Sequence, residues 1–443
     1  MYGLVIFSLC LSAVYSQFPR ACTTPEALKA KSCCPAWEDG SPCGSLSGRG
    51  QCRDWVVFTP LSAGQVPQPY DDRLNWPRNY FDNTCECFGN YSGYNCGECK
   101  FGYFGEKCDR TKTVVRKEIR ELSRIELQRF FSYLALAKTT KSKDFVVLST
   151  GNRHYRDTYR FVDATIYDVF SWIHYYSMKP IMINSSFIDP NKNYAHQGPA
   201  FPGWHRLGLL FLERQIQLLT GDEDIGLPYL DWRGETNCSM CDDAFLGSND
   251  VQGNLSPYSY FAGWMAFCSG FNYPGAYCPA AGNDFQMERV HRNPGGNPLA
   301  NRIPSFQDVE DTLKWRDYDR YPHDSTATRS FRNILEGFVR PSDGETFERN
   351  MHNLFHIYLG GTMSQIPISS NDPIFVLHHG FIDKIFEVWI RKYNGNPRIY
   401  PNNDELGQGP NECSTPYFPC YLNKDLLQVS TKFGYTYSVY QDL

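Results

Sequence analysis

The spacing of apolar residues changes sharply near Thr111. Beyond it they recur every three to four positions, the period of helices that bury one face. Ser123 followed by Glu126 forms a capping box, and Leu127, Phe130, Phe131 and Leu134 then recur at helical spacing. A second helix is predicted over 165–177. A third starts near Pro202 and continues through Leu209, Leu210, Leu212 and Ile216, and a fourth spans 345–359. The last opens at Asn371-Asp372-Pro373, an N-cap with proline at the first helical position, and runs to Trp389. The stretch 237–324 is rich in Gly and Pro and reads as loop. No repeat of solenoid period interrupts this pattern.

Before Thr111 long periodic patterns are scarce, and ten of the cysteines fall between Cys22 and Cys108. Such a segment holds its shape through disulfides rather than a large core. Residues 1–16, MYGLVIFSLCLSAVYS, form an apolar run too short to span a bilayer. Val14 and Ser16 supply small residues for signal-peptide cleavage before Gln17. Of the 17 cysteines, only Cys10 lies in that leader, so the mature chain keeps an even number. Together with the sequons at Asn90, Asn184, Asn237 and Asn254, this predicts an oxidising lumen of the secretory pathway. Cys238, Cys241, Cys268 and Cys278 are expected to staple the long loop locally. No later run approaches a membrane-spanning length. A net charge of −5 without a basic stripe excludes a nucleic-acid partner. The aromatic content of 15% fits either a thick helical core or an aromatic substrate pocket.

Six of the 10 histidines fall into two groups of three. His174 lies on the second predicted helix, and His196 and His205 flank a Gly/Pro turn in HQGPAFPGWHR. His352 and His356 stand one turn apart, so their rings share a face, and His379 lies on the last helix. Three neutral imidazoles suit copper, zinc, iron or nickel and leave positions open for substrate or oxygen. His174 alone reads as a satisfied core histidine; six together on four helices read as a paired-metal site. The HExxH pattern of zinc proteases is absent, because Asn353 follows His352. His378 and His379 project about 100° apart, so only one readily joins a given centre, and apolar periodicity does not choose between them. His154, His291 and His323 lie in polar surroundings and read as surface or loop residues.

The stretches DVFSWIHYYS, HQGPAFPGWHR, LPYLDWR, FRNILEGF, MHNLFHIYLGGTMSQ and NDPIFVLHHGFIDKIFEVWIR resemble the type 3 copper proteins, most closely the animal tyrosinases and tyrosinase-related proteins. With the cysteine-rich module and the terminal FGYTYSVYQDL, the likeness covers nearly the whole mature chain. It implies a mainly α fold, a four-helix bundle holding a dinuclear metal site, behind a cysteine-rich EGF-like subdomain. On that division 1–16 is signal peptide, 17–110 the EGF-like subdomain and 111–443 the dicopper catalytic domain. It implies the pairs Cys22–Cys33, Cys34–Cys52, Cys43–Cys85, Cys87–Cys96 and Cys99–Cys108.

The resemblance further implies two copper ions, one on His174, His196 and His205 and one on His352, His356 and His379, the second histidine of the adjacent pair. The implied reaction uses dioxygen to hydroxylate a monophenol such as tyrosine at the ortho carbon and to oxidise a catechol such as dopa to the quinone. Melanin synthesis, a melanosome-lumen or secreted location and a monomer go with it. A phenol ionises near pH 10 in water, so a base is useful. The family pattern assigns Glu336 and Asn353 to hold a water for that task and places Phe338, Ile366 and Ser369 in the substrate pocket. Without the resemblance, Glu336 reads as a surface cap or ion pair and the other three as packing or loop residues. Asp383, one turn after His379, reads equally as a ligand-orienting carboxylate and as a solvated helix charge. Gln197 stands where the family commonly has Glu, Pro202-Gly203 alters the usual turn, and no cysteine near His196 can form a thioether. Three rivals stand beside the copper oxidase: a zinc-containing tautomerase relative, an oxygen carrier, and an interaction protein acting through its EGF-like segment. His378 and Ile366 lean toward tyrosinase over the zinc relatives.

Overall fold

The computed structural model describes residues 18–54, 71–152, 155–183, 188–268 and 288–440. The leader, His154, the Asn184 sequon and Cys278 lie outside them. The first ten mature cysteines pair as the resemblance implied: Cys22–Cys33, Cys34–Cys52, Cys43–Cys85, Cys87–Cys96 and Cys99–Cys108. Between these staples only short elements form, chiefly helix α1 (Pro25–Ala30), N-capped by Thr24, and the antiparallel strands Gly50–Asp54 and Asn83–Cys87. Cys238–Cys241 closes the long loop locally, Cys268 is also disulfide-bonded, and Cys413–Cys420 closes a C-terminal turn.

Helices carry the rest. They are α2 (Arg124–Thr139), α3 (Ile166–Met178), α4 (Phe201–Thr220), α5 (Phe306–Thr312), α6 (Phe331–Glu336), α7 (Met351–Leu359), α8 (Gly361–Ser364) and α9 (Ile374–Tyr393). The capping box at Ser123 and Glu126 forms in both directions and starts α2. Asp372 accepts from the Ile374 amide at 3.0 Å and starts α9 beside Pro373. Helix α4 packs on α3 and α9, and α6 on α7. Apolar faces of these helices merge into a core containing Leu209, Leu210, Phe355, Phe375 and Trp389, while other faces of α3 and α4 enter a second cluster through Trp172, Ile173, Trp204 and Leu207. Among the described residues no helix is long and apolar enough to cross a membrane.

Two expectations need correction, and one strand pair was not anticipated. The fourth helix begins at Met351, not at residue 345. Asp343 accepts from the amides of Glu345 and Thr346, and Arg340 pairs with the Thr346 carbonyl, so the preceding residues close a tight turn instead. The loop 237–324 contains α5, nucleated by a capping box at Ser305 and Asp308, and the strand pair Met265–Ala266 with Glu288–Arg289. Strands Lys141–Asn152 and Tyr155–Thr165, which the hydrophobic pattern did not announce, pair antiparallel with three register irregularities. Phe18–Pro19 extends that sheet, and Thr165 passes directly from its last strand into the N-cap of α3.

Asp383 is 3% exposed, which overturns the solvated reading. It also makes no bond to His379. Its carboxylate accepts from Arg206 Nε (2.6 Å), Arg116 Nη1 (3.3 Å) and the hydroxyls of Tyr435 and Tyr437 (both 2.6 Å). Arg116 also pairs with Glu213 and Arg206 with Glu387. The cluster thereby joins α4 and α9 to the parallel strands Val114–Arg116 and Tyr435–Tyr437. Burying these charges is tolerable only while each has its partners. Asp383→Ala is therefore expected to destabilise the metal-free chain by about 3–5 kcal/mol, read by denaturant unfolding, since it strips both guanidinium groups of a shared acceptor.

Candidate metal centre

Helices α3, α4 and α9 and one turn each bring one of the six histidines to the centre, and α7 brings two. His174 projects from the last two turns of α3, and His205 from the second turn of α4. His352 and His356 lie on α7, and His379 on α9. His196 departs from the helical expectation: it stands on the turn before α4. Asn193 caps that turn, its side-chain oxygen accepting from Ala195 N (3.0 Å) and His196 N (2.7 Å). Gln408 clamps it from outside, donating to the Asn193 and His196 carbonyls (both 2.9 Å) and accepting from Ala200 N (3.0 Å). A β-carbon at Gly198 would lie 2.4 Å from the Gln408 side chain, so the close approach requires glycine. Gln197 takes a left-handed φ of 61°, and its amide donates to Glu336 Oε1 at 2.6 Å. The position is thus held through its backbone, whatever its side chain.

The six histidines meet in the core, each 1–8% exposed. Ligand-capable atoms of His174, His196 and His205 all lie within 4.8 Å of one another. The same holds for His352, His356, His378 and His379. The two groups face each other: the rings of His205 and His379 stack at 4.3 Å between centroids and 10° between planes, and His196 stands 5.8 Å from His352. Phe375 packs between them, 4.1 Å from the His379 ring and 5.0 Å from that of His174.

Hydrogen bonds orient several rings with one nitrogen turned away. His205 Nδ1 donates to the Phe201 carbonyl and His356 Nδ1 to the Met363 carbonyl, both at 2.8 Å. His352 Nδ1 donates to Asn353 Oδ1 at 3.1 Å, with the Glu336 carbonyl at 3.3 Å. A neutral imidazole protonated at Nδ1 keeps its lone pair on Nε2. His205 Nε2, His352 Nε2, both nitrogens of His174, and Nδ1 of His196 and of His379 are buried with no protein partner. Each such orphan costs roughly 1–3 kcal/mol. Burial pushes the pKa down to about 3 at His205 and about 4 at His356, against the carbonyl bonds that favour their protonated rings. His174, His196, His352 and His379 are driven in the same direction. Deprotonated, inward-facing, unpartnered nitrogens are the donor set a metal ion requires. The residues fit two imidazole-bound ions.

His378 shares the second group, and its Nε2 is likewise buried without a protein partner, but its Nδ1 is engaged. It is fully buried and its Nδ1 accepts from Trp232 Nε1 at 3.1 Å. A neutral ring that accepts at one nitrogen carries its proton on the other, which leaves no lone pair for a metal. It lies flat against His352, at 5.2 Å and 18°, and against Phe355. Trp232 belongs to the LPYLDWR stretch, but no motif pointed to its bond with His378, and Gln408 lies in none of the stretches. His291 and His323 do sit in loops, but half-buried rather than on the surface.

Glu336 is buried at the end of α6, which corrects the surface reading; its second oxygen accepts from Arg332 Nη1 at 3.2 Å. Burial outweighs that cation and lifts its pKa to about 7. Asn353 Nδ2 is buried without a partner. Phe338 is half-buried, its ring 4.8 Å from the Arg349 guanidinium. Ile366 is 47% exposed, while Ser369 is buried and donates its hydroxyl to the Ile366 carbonyl at 3.0 Å.

Residues 164–392 match the family description "Common central domain of tyrosinase". The chain is 43% identical to tyrosinase of Bos taurus over 96% of its own length and 82% of that protein. It is 36% identical to 5,6-dihydroxyindole-2-carboxylic acid oxidase of Ambystoma mexicanum, over 96% and 83% respectively. A polyphenol oxidase structure from Thermothelomyces thermophila aligns at 17% identity and a TM-score of 0.48, over 73% of this chain and 88% of that one. On the matches of sequence over nearly its whole length, the chain belongs to the tyrosinase family of copper oxidoreductases.

Proposed function

We propose that His174, His196 and His205 hold one copper ion and His352, His356 and His379 a second, and that the enzyme hydroxylates monophenols such as tyrosine and oxidises catechols such as dopa to quinones. The observation that carries this reading is the set of buried imidazole nitrogens with no protein partner, in two facing groups. The bond that His378 accepts from Trp232 supports leaving it out of the ligand set, because it assigns the proton to the other nitrogen. When bound, the copper pair supplies the redox capacity that lets dioxygen act as oxidant.

The chain's own groups do the rest. A phenol must lose its proton to become a good ligand and nucleophile, and Glu336, raised toward neutrality by burial, is poised to take it through a water. The unpartnered Asn353 amide is the donor that would hold that water, while its oxygen fixes the tautomer of His352. Phe338, Ile366 and the Ser369 turn would form the wall against which the phenol ring lies. The closed helical core around the histidines keeps bulk water from the reacting groups.

The rest of the reading follows the family: residues 1–16 removed as signal peptide, 17–110 as EGF-like subdomain and 111–443 as catalytic domain. Glycans at the sequons, a monomer, and melanin synthesis in a melanosome lumen or outside the cell complete it. Zinc is the rival ion, since imidazole accepts both. Metal-free protein reloaded with copper should consume oxygen with tyrosine and with dopa; the zinc-loaded form should not. Equal inactivity of both forms would refute the oxidase reading.

A further inference from the structure

Arg73 lies in the cysteine-rich segment of the sequence, yet it is only 1% exposed and packs against the first histidine triad's supports. Its guanidinium donates to the carbonyls of Tyr176 (2.8 Å), Lys179 (2.6 Å) and Pro180 (3.0 Å), with Ser177 at 3.4 Å. These include the carbonyls that the end of α3 leaves without helical partners, where the helix dipole is negative. Asp71 fixes the fork, accepting from Nε at 2.8 Å and Nη2 at 2.5 Å, and itself receives the Met182 amide at 3.1 Å. Asp72 accepts from the hydroxyls of Tyr176 (2.6 Å) and Tyr80 (2.9 Å).

The other face of the same guanidinium covers the ring of Tyr194, 4.7 Å from its centre. Tyr194 donates its amide to the Ser177 carbonyl at 3.1 Å and precedes His196 by two residues. One buried cation therefore touches both the end of the helix that carries His174 and the turn that presents His196. The polar contacts described for residues 71–73 reach α3, its exit and their own loop, and none reaches α7 or α9.

We propose that Asp71-Asp72-Arg73 is a positioning device for the first triad, so that Arg73 sets copper affinity at His174, His196 and His205 and not at the second triad. This rests on the ligand assignment above. Lysine would not replace the arginine, because one ammonium cannot match a planar fork that serves several carbonyls and a carboxylate at once.

The test uses the full chain in two backgrounds. His379→Ala should leave copper only at the first triad, and His205→Ala only at the second. Copper retention is read by competition with a graded chelator. Adding Arg73→Gln to His379→Ala should weaken copper binding by roughly 10–100-fold, the usual cost of a lost supporting contact, with Arg73→Lys recovering only part. Adding it to His205→Ala should change nothing. Equal weakening in both backgrounds, or in neither, overturns the proposal. If Arg73→Gln is not produced folded, Tyr194→Leu decides by the same comparison, since it removes the ring beneath the guanidinium and leaves the buried charges paired. Failure of both parent backgrounds to hold any copper would instead refute the ligand assignment.

Discussion

His379→Ala is expected to cut turnover of both tyrosine and dopa by more than about 10³-fold, because losing a direct ligand costs more than the 10–100-fold typical of its supports. The neighbouring substitution should behave quite differently. His378→Leu leaves the Trp232 indole without its acceptor, a penalty of roughly 1–3 kcal/mol in stability, yet keeps the donor set intact. Metal content and rates of the two purified variants separate the readings. A His378 variant left with one copper ion while the His379 variant keeps two would reverse the assignment of the adjacent pair.

Glu336→Gln is expected to slow monophenol hydroxylation by about 10²–10⁴-fold, the usual worth of a positioned base, and catechol oxidation much less. Catechols ionise more readily and need that base less. The pH profile gives the sign. Burial raises the Glu336 carboxyl to about 7 in the metal-free protein, so below that range it is protonated and cannot accept a proton. Hydroxylation should therefore rise with pH through a midpoint at or below about 7, because bound cations favour the carboxylate. Gln should abolish that rise. Equal losses for tyrosine and dopa would point instead to a structural part, since the same carboxylate also holds the Gln197 amide and Arg332.

The helices and the His352–His356 pair were legible because their signals are local: a capping box, a proline at a helix start, two histidines one turn apart. His174 joined the set only through the company of the other five. Periodicity did not separate His379 from His378, and the contact that distinguishes them comes from Trp232, 146 positions away in sequence. The same holds for Gln408, which clamps the His196 turn from 212 positions away, and for Arg73, about 100 residues before the helix end it caps. Asp383 was misread for a related reason. Its partners Arg116, Tyr435 and Tyr437 lie at opposite ends of the chain, and only the folded strands bring them together. The strand pair Lys141–Asn152 and Tyr155–Thr165 escaped because its register is irregular and both strands mix charged and apolar residues without strict alternation.

The account stands on two redox-active ions seated between the facing triads. Anomalous diffraction recorded on either side of the copper and zinc absorption edges of the intact enzyme locates and identifies them together. It should show two copper peaks, one ringed by His174, His196 and His205 and the other by His352, His356 and His379, with none bonded to His378. Zinc at those positions, a single peak, or ions elsewhere would contradict it.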